Sequence, residues 1–95
     1  PIGNTVDTYW DALVKGVSGA APITLFDASK FKTRFACEVK NFDPTNFIDK
    51  KEARKMDRFS QLAIVAGDQA ISDAGIDKTN VDPDRVGVIL ASGIG

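Results

Sequence analysis

Lys51, Arg54, Lys55 and Arg58 stand three and four residues apart, and Lys50 adds a fifth cation to the stretch. On a helix this spacing places the four on one side. Such a set can do electrostatic work, attracting an anionic partner and steering its approach. Four like charges on one side also repel, each pair costing about a few tenths of a kcal/mol unless partners intervene. Glu52 and Asp57 can relieve only part of this. On charge alone a solvated face is the plainer reading. A binding surface would also explain why the repulsion is tolerated.

Other chemistry finds little footing. The chain has no His, which removes the commonest general base and the commonest metal ligand. Cys37 is the single thiol, and it alternates with Phe35 and Val39. An activated thiolate needs a His, a helix N-terminus or nearby cations. Cys37 is therefore expected to be a packed structural residue. Ser92, Gly93, Ile94 and Gly95 have the look of a phosphate loop. They lack its Lys and Ser/Thr, and they lack the dinucleotide spacing. A turn after a buried strand fits better. Asp82 and Asp84 flank Pro83 and read as a turn. No catalytic residue, cofactor site or metal site is predicted in this window.

Ninety-five residues make at most one small domain. Both ends look cut, and the chain reads as a piece of a larger protein. The formal charge of −1 conceals an asymmetry: residues 30–58 carry nine Lys/Arg against five Asp/Glu. That balance, without interleaved aromatics, argues against nucleic acid and for an acidic partner. No apolar run is long enough to span a bilayer, and no signal peptide is visible. One Cys forms no internal disulfide, which fits a reducing cytoplasm.

The elements that must position the cluster follow from periodicity. Asn4 or Thr5 can cap a first helix whose Val6, Trp10, Leu13 and Val14 share a face, with Trp10 as a core anchor. Gly16 suits its end. Residues 17–22 read as loop, and the alternation of Phe35, Cys37 and Val39 as a half-exposed strand. Asp49 and Glu52 form a capping-box pattern before the basic stretch. Asp57 can cap a long, largely buried helix that runs to about Ala74 and ends at Gly75. Residues 85–91 are apolar on both alternation classes, the pattern of a strand buried on both faces of a parallel sheet. Helix, strand, long buried helix and buried strand together predict an α/β layered fold.

The run IDKKEARKMDRF, residues 48–59, resembles a signature of bacterial β-ketoacyl-acyl-carrier-protein synthases of the type II elongating class. So do Pro1-Ile2-Gly3-Asn4-Thr5-Val6 and Ser92-Gly93-Ile94-Gly95, in the same order and spacing. The resemblance covers essentially the whole chain. It implies a thiolase-like fold of two similar halves, with residues 1–95 in the N-terminal half, lacking its first strand and the downstream catalytic region. It implies a cytoplasmic homodimer that performs a decarboxylative Claisen condensation in fatty acid elongation, with no cofactor.

In that family a Cys nucleophile, two His and a supporting Lys lie beyond the position of Gly95. Ala36-Cys37-Glu38 does not match the nucleophile's context, so that role is not carried over. The family's K-E-x-R-K motif supplies cations that contact the acidic helix of acyl-carrier protein. Its counterparts are Lys51, Arg54 and Lys55, which turns the balance from a solvated face to a docking surface. Two alternatives of other classes are a non-catalytic relative that only binds acyl-carrier protein and a plain interaction module.

Overall fold

The computed structural model describes residues 1–77 and 79–94. Lys78 and Gly95, the last residue of the Ser-Gly-Ile-Gly motif, lie outside the described residues. The chain divides into two units, Pro1–Phe42 and Asp43–Gly95.

In the first unit, helix α1 spans Val6–Val14. Thr5 is the N-cap, and its hydroxyl accepts from Thr8 N at 3.2 Å while Thr8 Oγ1 accepts from Thr5 N at 3.2 Å. Of the two caps expected, Asn4 or Thr5, the reciprocal pair selects Thr5. Asn4 instead donates through Nδ2 to Lys40 O at 2.6 Å. Gly16, at φ 66°, ends the helix as expected. Val17 N reaches Ala12 O at 2.9 Å and Gly16 N reaches Leu13 O at 3.0 Å, the two bonds of a Schellman end. The apolar face exists, but it is not a core: Trp10 is 62% exposed. Nothing described in this unit is large enough to cover it.

The partner elements in this unit are short. Strand β1, Ala21–Pro22, pairs antiparallel with β2, Phe35–Ala36, in the register Ala21 to Ala36 and Pro22 to Phe35. The alternating strand expected through Val39 stops at Ala36. Past Ala36 the register would set Cys37, Glu38 and Val39 against Ala20, Gly19 and Ser18, and there Ala20 N bonds Ser18 Oγ at 3.3 Å instead. The Glu38 carboxylate serves the other end of the hairpin. It accepts from Thr24 N at 3.0 Å and Leu25 N at 3.2 Å, and from Thr24 Oγ1 at 2.7 Å. There a side chain takes the place of ladder carbonyls as the acceptor.

In the second unit, a 3-10 turn at Pro44–Asn46 leads into α2, Lys50–Ala53, and α3, Arg58–Asp73. Gly75 at φ 64° ends α3, with Ile76 N on Ile71 O at 3.2 Å and Gly75 N on Ser72 O at 3.1 Å. Both longer helices therefore terminate alike, as their glycines predict. A further 3-10 turn, Pro83–Arg85, is capped by Asp82, which confirms the turn expected there.

Two expectations fail in this unit. Helix α3 was expected to be largely buried, yet Val65 is its one buried residue. Residues 86–91 were expected to form a buried strand; they are in no ladder, and Ile89 is 95% exposed. A strand gains its stability by pairing N–H and C=O with a neighbour. Among the described residues the single sheet is β1–β2. Among the described residues the buried apolar ones are Ala28, Ala53 and Val65, none of them fully enclosed. The chain exposes 8065 Å², against about 5,300 Å² expected for a globular monomer of this mass.

Candidate functional site

The basic segment is built from its caps upward. Asp43 Oδ1 accepts from Thr45 N at 2.9 Å and Thr45 Oγ1 at 2.7 Å, which fixes the 3-10 turn. Pro44 O then receives Phe47 N at 3.0 Å and Ile48 N at 2.9 Å. Asp49 caps α2, its Oδ1 accepting from Lys51 N at 2.9 Å and Glu52 N at 3.4 Å. Ala53, 4% exposed, packs the inner side of this short helix.

The outer side carries the cations, and Lys51, Arg54 and Lys55 are all exposed. Lys55 Nζ reaches Glu52 Oε1 at 2.7 Å, an exposed pair worth little on its own. Neither Lys51 nor Arg54 forms an ion pair among the described residues. The arrangement differs from one continuous helical face. Arg54 is the C-cap of α2, Lys55 follows in the turn, and Arg58 opens α3. Four residues with α propensity do not sustain a helix when its next turn is drawn off into a new one. Lys51 lies in α2, Arg54 is its cap and Lys55 is the next residue.

Asp43, which opens the turn ahead of the segment, is held toward its ionised form. The Thr45 hydroxyl and amide hold Asp43 below the usual carboxylate range, and the charge of Lys50 adds to this. In the other unit, the Thr24 hydroxyl and amide do the same for Glu38, with Lys40 contributing last.

Gln61 was not singled out by sequence reasoning. Its Nε2 donates to Ala53 O at 2.8 Å and to Met56 O at 3.3 Å. Asp57, the expected cap of α3, makes no side-chain cap bond. The available signal was a lone amide in the first turn of an otherwise apolar helix face.

The other candidates stand as follows. Cys37 is exposed, just past the end of β2, and the packed position expected for it is not what forms. No group of three or more His, Cys, Asp or Glu among the described residues could hold a metal. Ser92 Oγ donates to Ile94 O at 2.8 Å, a local turn bond. Phe59, Ala63 and Ile64 of α3 face Leu90, Ala91 and Ser92 across a groove of about 390 Å³. Its lining is apolar, and it offers no set of groups for acid–base or nucleophilic chemistry. No helix among the described residues is long and apolar enough to cross a membrane.

Comparison with known proteins places these features in a family context. The whole chain, residues 1–95, matches the family model described as "Beta-ketoacyl synthase, N-terminal domain". Over all 95 residues it is 53% identical to 3-oxoacyl-[acyl-carrier-protein] synthase 2 of Vibrio harveyi and 50% identical to the protein of that name from Synechocystis sp.. It is also 50% identical to the Staphylococcus aureus protein of that name. The chain spans 23% of the length of each of these relatives.

Proposed function

The chain belongs to the β-ketoacyl synthase family by its N-terminal domain, and on that premise we propose that it is the early part of a 3-oxoacyl-[acyl-carrier-protein] synthase of fatty acid elongation. In this reading the parent joins an acyl group to malonyl-carrier protein, releases CO2 and yields the 3-oxoacyl thioester. Residues 1–95 contribute scaffold to the N-terminal half of a thiolase-like α/β layered fold. The parent acts as a cytoplasmic homodimer without a cofactor. Its nucleophile and His residues come from other parts of the chain, so residues 1–95 alone have no condensing activity. Support comes from identity of 50–53% along the whole chain to proteins of that name. The large exposed apolar surface agrees with a segment that is completed by further chain.

Within that function, Lys51, Arg54 and Lys55 dock acyl-carrier protein, in its acyl and malonyl forms. The observation that carries this is three exposed cations on a capped turn and the residue that follows it, two of them without an ion-pair partner among the described residues. Rim contacts of this kind act mainly on encounter rate and are screened by salt. Replacing Lys51 and Arg54 by Glu in the full-length enzyme raises the apparent KM for carrier-protein substrates. Turnover of small thioester surrogates, which do not touch this surface, stays unchanged. The difference shrinks as ionic strength rises. Equal loss with both substrate types would mean that the residues support the fold; no loss with either would leave a solvated face.

A further inference from the structure

Helix α2 ends at Ala53 and α3 begins at Arg58. Arg54 and Lys55 lie in the link, so their direction depends on a few backbone angles rather than on a helix. The last carbonyls of a helix have no partner within it, and Asp57 adds no cap bond from the other side. Ala53 O receives Met56 N at 3.3 Å, and Gln61, one turn into α3, adds a shorter second bond. Its part-buried amide donates to Ala53 O and Met56 O, the carbonyls that bracket Arg54 and Lys55. A primary amide has two N–H groups, one for each.

We infer that Gln61 is a positioning residue for carrier-protein docking, acting through the backbone on either side of Arg54 and Lys55 and touching no partner itself. This rests on the docking role proposed above. The chemistry selects the residue type. Glu has the same length but, ionised, offers no donor and sets negative charge against two carbonyls. Met has similar length and helix propensity and offers no donor. Either change frees the link, and cations spread over more orientations meet an acidic helix less often in the productive one.

The test compares Gln61→Glu with the Lys51→Glu, Arg54→Glu pair in the full-length enzyme, using carrier-protein substrates and small thioester surrogates. Gln61→Glu is expected to raise the carrier-protein KM about three- to tenfold, the span of one net hydrogen bond, with kcat on surrogates unchanged. In the Lys51→Glu, Arg54→Glu background it adds no further rise, because the cations it orients are gone. Gln61→Met is read by the same criteria and serves if the Glu variant does not fold. If both Gln61 variants leave the carrier-protein KM unchanged while the double charge reversal raises it, the positioning role is wrong and docking stands. An equal loss on both substrate types, or a rise that persists undiminished in the charge-reversed background, would also overturn it. If the charge reversal itself has no effect, the docking role falls and the role of Gln61 with it.

Discussion

Between Asp43 and Gln61, turn after turn is closed by a bond to a residue eight or fewer positions away. Asp43 holds Thr45, Pro44 O takes Ile48, Asp49 caps α2, Glu52 meets Lys55, and Gln61 reaches back to Ala53. Residues 86–94 belong to the same unit, and their described bonds amount to Val86 N on Pro83 O and Ser92 Oγ on Ile94 O. The first region is polar and closes on itself. The second is apolar, and its backbone groups can be satisfied as a strand only by neighbours distant in sequence. A short chain can thus present a well-formed cation-bearing turn while its most apolar run has no regular structure.

The sharpest way to break this contrast is Ile89→Asp. In a full-length protein that pairs residues 86–91 with neighbouring strands and covers both faces, an unpaired buried charge costs more than about 4 kcal/mol. Soluble yield and the melting transition are expected to be lost. In the 95-residue chain, where Ile89 is 95% exposed, the same change leaves the circular dichroism spectrum unaltered. A full-length enzyme that tolerates Asp at this position would refute the buried strand.

Asp49→Ala probes the other side. Removal of an N-cap costs about 1 kcal/mol, and the effect should appear in both contexts because the cap is local. Amide exchange at Lys51 and Glu52, the two capped groups, is expected to speed up; unchanged exchange would show that the cap is not what holds α2.

Glu38 gives a smaller, pH-dependent version. Hydrogen bonds from the Thr24 hydroxyl and amide lower its pKa in the fold relative to the unfolded chain. Its contribution is therefore complete above the ordinary Glu value and is lost as pH falls through the depressed one. The Thr24 and Leu25 amide resonances should titrate below the usual Glu range, and Glu38→Gln should abolish that step. Titration at the ordinary value would dissolve the clasp.

Smallest of all is Cys37→Ala. The thiol is exposed, so the stability change is expected to stay within about 0.5 kcal/mol. Full-length turnover is expected to remain intact. Loss of acyl-enzyme formation in a folded variant would restore this Cys as a nucleophile.

The same division decides what was legible in the sequence. Thr5, Gly16, Asp49 and Gly75 act within one helical turn, and their types announce the ends of α1 and α3 and the start of α2. The Lys51, Arg54, Lys55 cluster is legible for the same reason. The break of the basic stretch into two helices is not. It depends on an amide eight residues from the carbonyl it caps, and a periodicity reading assigns Gln61 no function. Trp10 and Ile89 are apolar at the right spacing, but spacing reports which face seeks burial, not what covers it. The alternation through Val39 misled because it marks a face and not a partner: Ala20, Gly19 and Ser18, which its register would meet, form no ladder.

The bond from Asn4 Nδ2 to Lys40 O joins residues 36 positions apart, and its consequence is one of timing during synthesis. Such a loop closes only after both ends exist, and its closure entropy is set by the chain between them. Helical turns, by contrast, form within about a microsecond once their residues are free. On a growing chain the short α1 only samples its helix at first, and the Asn4 amide stays uncommitted until Lys40 has emerged. The carbonyl it then takes is ten residues ahead of Lys50, so the first unit can close before the cation-bearing turn has left the ribosome.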